Sequence, residues 1–161
     1  MVTMKFLNNL LDIYQNCCII YLYLIKGNDI MSQNLLLNKM LVCATNAHAN
    51  QFDKGGKPYI LHPLQVMYYL QSDDEELNCI ALGHDIIEDT TVTYNDLIEL
   101  GMTPRIVDGI RCLTKESGES YQEYKNKVFS NEDAILVKMA DLRHNTDIRR
   151  LKGVTEKDIV R

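Results

Sequence analysis

The stretch Gly83-His84-Asp85-Ile86-Ile87-Glu88-Asp89-Thr90 constrains this chain most. It ends an apolar helical pattern marked by Leu77, Ile80 and Ala81. At about 100° per residue, Glu88 falls roughly 40° from His84, Asp85 roughly 100° and Asp89 roughly 140°. One imidazole and three carboxylates then share well under half of the helix circumference, on an arc that continues the apolar face. Partly buried carboxylates this close repel one another and take up protons unless a cation holds them. A divalent metal would satisfy the group. The competing reading is the solvated last turn of a surface helix. It fits the helix dipole poorly, because acids at a C-terminus face partial negative charge.

The chain has 161 residues, enough for one domain with a core of its own. A net charge of −5, with no cluster of five or more Lys and Arg, argues against a grip on a phosphate backbone. Trp is absent and Phe occurs three times, which leaves little stacking platform for single strands. No nucleic-acid partner is expected. Cys17, Cys18, Cys43, Cys79 and Cys112 form no C-x-x-C pair, which suits reduced thiols in a cytoplasm. With three Pro and eight Gly, a mostly helical chain is expected, with few strands or none.

Residues 1–30 read differently from the rest. Cys17 to Ile25 is a continuous apolar run, shorter than the roughly 20 residues that span a bilayer, so no membrane partner is expected. No small-residue cleavage site follows a basic start. Met31-Ser32-Gln33 then opens a clean amphipathic pattern. Residues 1–30 are therefore expected to be an upstream extension, non-native or peripheral, with the domain at 31–161. The alternative is a membrane-surface or partner-binding helix.

Further along, Gln33 to Gln51 reads as a helix that ends near His48, a packed histidine more than a ligand. Asp53-Lys54-Gly55-Gly56-Lys57-Pro58 reads as a turn-forming loop, and Pro63 as the first position of a helix that places His62 at its mouth. One central helix is expected from about Asp74 to Glu88. Thr93 with Asp96 resembles a capping box, and Thr103-Pro104 a cap followed by a first-turn proline. Further helices are expected around Tyr121–Phe129, over Asn131–Ile148 and from Thr155. Asp141 lies within an apolar segment, where it is either paired with Lys138 or Arg143 or is a ligand.

Four blocks in order carry a resemblance: Ala47-His48-Ala49-Asn50-Gln51, Gly56-Lys57-Pro58-Tyr59-Ile60-Leu61-His62-Pro63, His84 to Thr90, and Lys138 to Asn145. They resemble the H…HD…D signature of the HD-domain metal phosphohydrolases. More specifically they resemble the hydrolase domain of the RelA/SpoT alarmone enzymes and the small stand-alone alarmone hydrolases, from about Gln33 to Leu151. The resemblance implies an all-α HD-domain helical bundle with a single metal site. It implies His62, His84, Asp85 and Asp141 as ligands of one divalent metal, Mn²⁺ in that family. Two imidazoles and two carboxylates without a thiolate suit Mn, Fe or Zn. The resemblance further implies Glu88 and Asp89 as catalytic acids, and Lys54, Tyr59 and Asn145 at a small-molecule nucleotide substrate.

The implied activity is release of the 3′-pyrophosphate from guanosine tetra- or pentaphosphate, with degradation only, since no synthetase segment follows. Another nucleotide phosphate or phosphodiester, or a nucleotide-binding module without turnover, are the alternatives. One position departs from the family pattern. Asp53 stands where an Arg usually precedes the loop Lys, and it is expected to face the phosphates and weaken a highly charged nucleotide. The oligomeric state is not legible.

Overall fold

A computed structural model describes residues 34–151 and 153. Its described residues form eight α-helices and one short 3₁₀ turn, with no named strand. The helices are α1 (Leu35–Ala47), α2 (Leu61–Leu70), α3 (Glu75–Gly83), α4 (Ile86–Asp89), α5 (Tyr94–Glu99), α6 (Pro104–Leu113), α7 (Tyr121–Phe129) and α8 (Glu132–Asn145); Ile148–Arg150 is the 3₁₀ turn. A single isolated bridge joins Phe52 to Pro58 across the loop between α1 and α2. None of the described helices is long and apolar enough to cross a membrane. The Cys17–Ile25 run, the boundary at residues 30 and 31, and the helix expected from Thr155 lie outside the described residues.

Local chemistry sets most of the helix starts. The Asp74 side chain accepts the Glu76 and Leu77 amides and opens α3. Thr93 and Asp96 form a reciprocal capping box at α5, and Ser120 and Glu123 form another at α7. Thr103 caps α6, whose first residue is Pro104, and Asn131 caps α8. Pro63 is the third residue of α2, still within the first turn, where no intrahelical donor is required.

The core gathers Met40, Val66, Ile80, Leu82, Ile86, Leu97, Ile106, Ile110 and Val137, all but fully buried. Helix α8 packs against α2, α3, α6 and α7, so its inner face lies at the centre of the bundle. Helices α3 and α6 approach through a reciprocal notch. A Cβ on Gly83 would lie 2.7 Å from Ile110 Cδ1, and one on Gly109 would lie 2.5 Å from Ile80 Cδ1. Each glycine admits the isoleucine of the facing helix, and Gly83 directly precedes His84. At the surface, Arg105 ties three helix N-termini together through Asp74, Glu76 and Asp133.

The single helix expected from Asp74 to Glu88 is two helices. α3 ends at Gly83, His84 and Asp85 form a corner, and α4 begins at Ile86. The break is local: the Asp85 backbone turns to φ −102°, ψ −4°, and beside it His84 Nδ1 lies 2.8 Å from the Ala81 carbonyl. The arc drawn on one continuous helix therefore does not describe how His84, Asp85, Glu88 and Asp89 are arranged.

Candidate metal centre and active-site cleft

Three parts of the bundle deliver the cluster. His62 comes from the first turn of α2, His84 and Asp85 from the corner between α3 and α4, and Asp141 from the inner face of α8. His62, His84 and Asp141 are buried, and ligand atoms from these three lie within 4.8 Å of one another. The two Nε2 atoms are 3.2 Å apart. Asp141 Oδ1 is 3.3 Å from His62 Nε2 and 3.9 Å from His84 Nε2. Asp85 is not within that mutual group of three, yet its Oδ2 reaches both imidazoles, at 3.0 Å from His84 and 3.4 Å from His62.

These spacings suit a cation. Ligand atoms ~2.1 Å from one ion at tetrahedral or octahedral angles are roughly 3.0–3.4 Å from each other. The proton positions suit one too. His84 Nδ1–H donates to the Ala81 carbonyl, which leaves its Nε2 to face the cluster. His62 Nδ1 lies 2.6 Å from His144 Nδ1. Arg150 Nη1 lies 3.3 Å from that same His144 nitrogen, and a guanidinium only donates. His144 Nδ1 is therefore the acceptor, His62 Nδ1 carries the proton, and His62 Nε2 turns a lone pair inward. Burial and the neighbouring Arg150 charge hold the His144 pKa down at about 4, which keeps that ring neutral.

The cluster attracts positive charge. Burial of His84 opposes its protonation, but the Asp85 and Asp141 carboxylates outweigh burial and raise its pKa to about 9. Burial alone would raise the carboxyl pKa of Asp141, but the contact with His62 and the charges of His84 and Lys138 bring it down to about 2. Its Oδ2 pairs with Lys138 Nζ at 2.9 Å, and Asn145 Nδ2 donates to its Oδ1 at 2.5 Å. Of the two pairings open in the sequence, Lys138 takes Asp141, while Arg143 stacks on the Tyr69 ring at 4.2 Å.

The cluster forms the floor of a cleft of about 550 Å³. Glu88, Lys54, Tyr59 and Asn145 line it, together with Phe52, Asp53, Lys115, Tyr121, Lys138 and Arg150. Glu88 Oε2 accepts the Lys115 amide at 3.1 Å. Asp89 does not line the cleft. Its Oδ2 accepts the Tyr59 hydroxyl at 3.2 Å, and its carbonyl accepts Gln51 Nε2 at 2.6 Å. The Tyr59 hydroxyl shares that one proton with Asp85 Oδ2, the nearer acceptor at 2.6 Å, so Tyr59 braces the cluster as well as facing the cleft. Burial and the two carboxylates push the Tyr59 pKa upward, so the phenol stays a donor. His48 is buried against Tyr59, with Nδ1 2.7 Å from Gln51 Oε1.

Asp53 makes a bond within its own loop that its sequence position did not suggest. It lines the cleft, but its Oδ1 accepts the Lys57 amide at 2.8 Å and closes its own loop. A Cβ on Gly55 would collide with the Arg150 carbonyl, so this loop rests against the 3₁₀ turn. His144, Lys115 and Arg150 were not picked out as site residues from sequence. His144 had a usable signal, one helical turn beyond Asp141; Lys115 and Arg150 had none.

No family model matches the chain. A GTP pyrophosphokinase of Myxococcus xanthus is 34% identical over 136 residues, covering 75% of this chain and 18% of that protein. The bifunctional (p)ppGpp synthase/hydrolase SpoT of Escherichia coli (strain K12) is 32% identical over 121 residues, covering 68% of this chain and 17% of SpoT. The chain thus spans under a fifth of the length of these curated relatives. Among solved structures, one described as a metazoan orthologue of SpoT that hydrolyses ppGpp matches with a TM-score of 0.64 and 27% identity, over 77% of each chain.

Proposed function

We propose, from the premise that this chain is a homologue of the RelA/SpoT alarmone enzymes with the helical fold of a SpoT-type hydrolase, that it is a metal-dependent phosphohydrolase releasing the 3′-pyrophosphate of guanosine tetra- or pentaphosphate. The observation that carries the reading is the convergence of His62 Nε2, His84 Nε2 and Asp141 Oδ1, with Asp85 Oδ2 beside them, on the floor of a cleft bordered by cations. His62, His84, Asp85 and Asp141 would hold one divalent ion, and Mn²⁺ is the ion we favour. Such an ion supplies Lewis-acid polarisation of a phosphoryl oxygen and lowers the pKa of water.

The chain's own residues supply the rest. Glu88 projects into the cleft, oriented by the Lys115 amide, and is placed to take a proton from an attacking water. Water adds to the phosphorus bonded to the ribose 3′-oxygen, and that P–O bond breaks. The 3′-oxygen leaves and is protonated, giving a nucleoside 5′-diphosphate (or triphosphate) and pyrophosphate. Lys54, Lys115, Lys138 and Arg150 line the cleft and offset the phosphate charge. Phe52 and Tyr121 are both 67% exposed on the lining and offer faces to a base. Asn145, held between Asp141 Oδ1 and Arg150 Nη1, is placed to meet the ribose. Asp89 acts through Tyr59, by fixing the phenol that braces Asp85. A cytoplasmic location fits this substrate, and Cys43, Cys79 and Cys112 are free thiols.

Product identification tests the reading. The Mn²⁺-loaded chain is given guanosine tetraphosphate, guanosine triphosphate, a 3′,5′-bisphosphate and a cyclic dinucleotide, and the products are separated. The expected result is guanosine diphosphate and pyrophosphate from the tetraphosphate in preference to the others. Preferential turnover of another member would move the substrate class. Tight binding of the tetraphosphate without turnover would make the chain a binding module.

A further inference from the structure

Helix α8 is apolar on two faces, and only one of them is covered. Its inner arc carries Ala134, Val137, Ala140 and Asp141, all buried. Its outer arc carries Leu136, 48% exposed, Met139, 64%, and Leu142, 52%, with Ile135 half-buried beside them. Isolated exposed apolar side chains are ordinary, but a contiguous stripe along one helix marks a contact surface.

Charges close the stripe at both ends. At about 100° per residue, Glu132, Leu136, Met139 and Arg143 fall within roughly 60° of arc. Glu132 precedes Leu136 by one turn, and Arg143 follows Met139 by one turn. The neighbouring Asp133 is taken by Arg105, whereas Glu132 and Arg143 have no ion-pair partner among the described residues. The order acid, apolar, apolar, base is its own complement when reversed. Two copies of α8 laid antiparallel about a two-fold axis would set Leu136 against Met139 of the second copy, and Glu132 against its Arg143, at both ends. A parallel arrangement would place acid on acid and base on base.

The geometry points to the outer face of α8 as the contact surface for a second copy of this chain, paired antiparallel through Leu136 and Met139 with Glu132–Arg143 ion pairs at each end. One helix pair with its flanking side chains makes a small interface, so the association is weak, on the order of micromolar or above. Lys138, Asp141 and Asn145 lie on other sides of α8, so the contact leaves both clefts open. The Arg143 guanidinium is already steadied over Tyr69 at 4.2 Å, which lowers the entropy lost on pairing.

Sedimentation velocity of the full chain across a wide concentration range, with circular dichroism as a check on folding, tests this. The wild type is expected to show a monomer–dimer equilibrium. Glu132→Arg and Arg143→Glu should each weaken the dimer about tenfold or more, and the double reversal should restore it to within about threefold. Met139→Asp should leave a folded monomer. A wild type that stays monomeric to about millimolar concentration would overturn the proposal. So would a dimer indifferent to the single reversals, or one that the double reversal fails to restore.

Discussion

The Nε2 atoms of His62 and His84 face each other at 3.2 Å, though 22 residues separate them in the chain. Two imidazole N–H groups cannot point at one another at that distance, so at least one lone pair is turned into the gap. Both rings have their Nδ1 engaged outward, on the Ala81 carbonyl and on His144. With Asp85 and Asp141 alongside, the gap is a place where a cation replaces several poor contacts with good ones.

Removing a ligand and removing the base should separate. Asp85→Asn is expected to abolish both metal binding and turnover. Glu88→Gln is expected to retain the metal while lowering kcat by about 10²–10⁴-fold. Metal content by elemental analysis, set beside kcat for each variant, checks this. A Glu88→Gln protein at full rate with metal bound would remove Glu88 from the chemistry.

The loop acid Asp53 has two properties that one substitution separates. Its Oδ1 closes the loop on the Lys57 amide, and its charge sits in the cleft where we propose the phosphates bind. Asp53→Asn keeps the acceptor and drops the charge. An exposed charge contact is worth about 1 kcal/mol or less, or up to roughly fivefold in affinity. The variant should therefore raise kcat/KM for guanosine tetraphosphate by up to about fivefold, with less effect on a monophosphate and an unchanged Tm. Asp53→Arg would lose the loop bond as well. Equal effects of Asp53→Asn on both nucleotides would show that the carboxylate does not meet the phosphates.

The glycine notch between α3 and α6 should be sensitive to a single methyl. Gly109→Ala puts a Cβ 2.5 Å from Ile80 Cδ1, so the side chain or helix must shift. Overpacking of this kind costs about 1–3 kcal/mol. Denaturant unfolding should show that loss, and Gly109→Ala with Ile80→Val should recover part of it. A neutral Gly109→Ala would mean that Ile80 has a free alternative rotamer.

The capped helix starts were legible in the sequence because caps are local, whereas the uncapped start of α2 falls at Leu61, two residues before Pro63. Thr93 with Asp96 and Thr103 with Pro104 act across two or three residues, and the structure has them as read. The corner at His84 was not legible, because apolar periodicity runs straight through it and only the Asp85 dihedrals mark it. His48 packs at the end of α1, as its spacing suggested. The pairing of His62 with His144 spans 82 residues and depends on α2 packing against α8, which no local pattern encodes. The expected Asn131–Ile148 helix stops at Asn145, and Ile148–Arg150 turns back as a 3₁₀ segment over the cleft. That reversal brings Arg150 to the site, a contribution that its distance along the chain concealed.

The Arg105 network gives a stability term with a defined pH sign. Hydrogen bonding from Arg105 holds the Asp74 carboxyl below the usual carboxylate range. A lowered folded-state pKa means stability that is present above the unfolded pKa and lost as pH falls through the folded one. Arg105 and Asp74 are both well exposed, so the effect is about 1 kcal/mol or less at neutral pH. Arg105→Met should lower Tm at pH 7, and the gap to wild type should shrink below about pH 4. A gap that stays constant into acid would assign the loss to packing of the side-chain stem.

The most direct measurement is pyrophosphate release from guanosine tetraphosphate by the metal-stripped full chain, titrated with Mn²⁺. The expected result is no release before metal is added, a rise that saturates near one equivalent, and no rise in His84→Ala carried through the same titration. Equal release by the metal-stripped protein, or one bound equivalent of Mn²⁺ with no release, would contradict the assignment of His62, His84, Asp85 and Asp141 as the centre of a hydrolase.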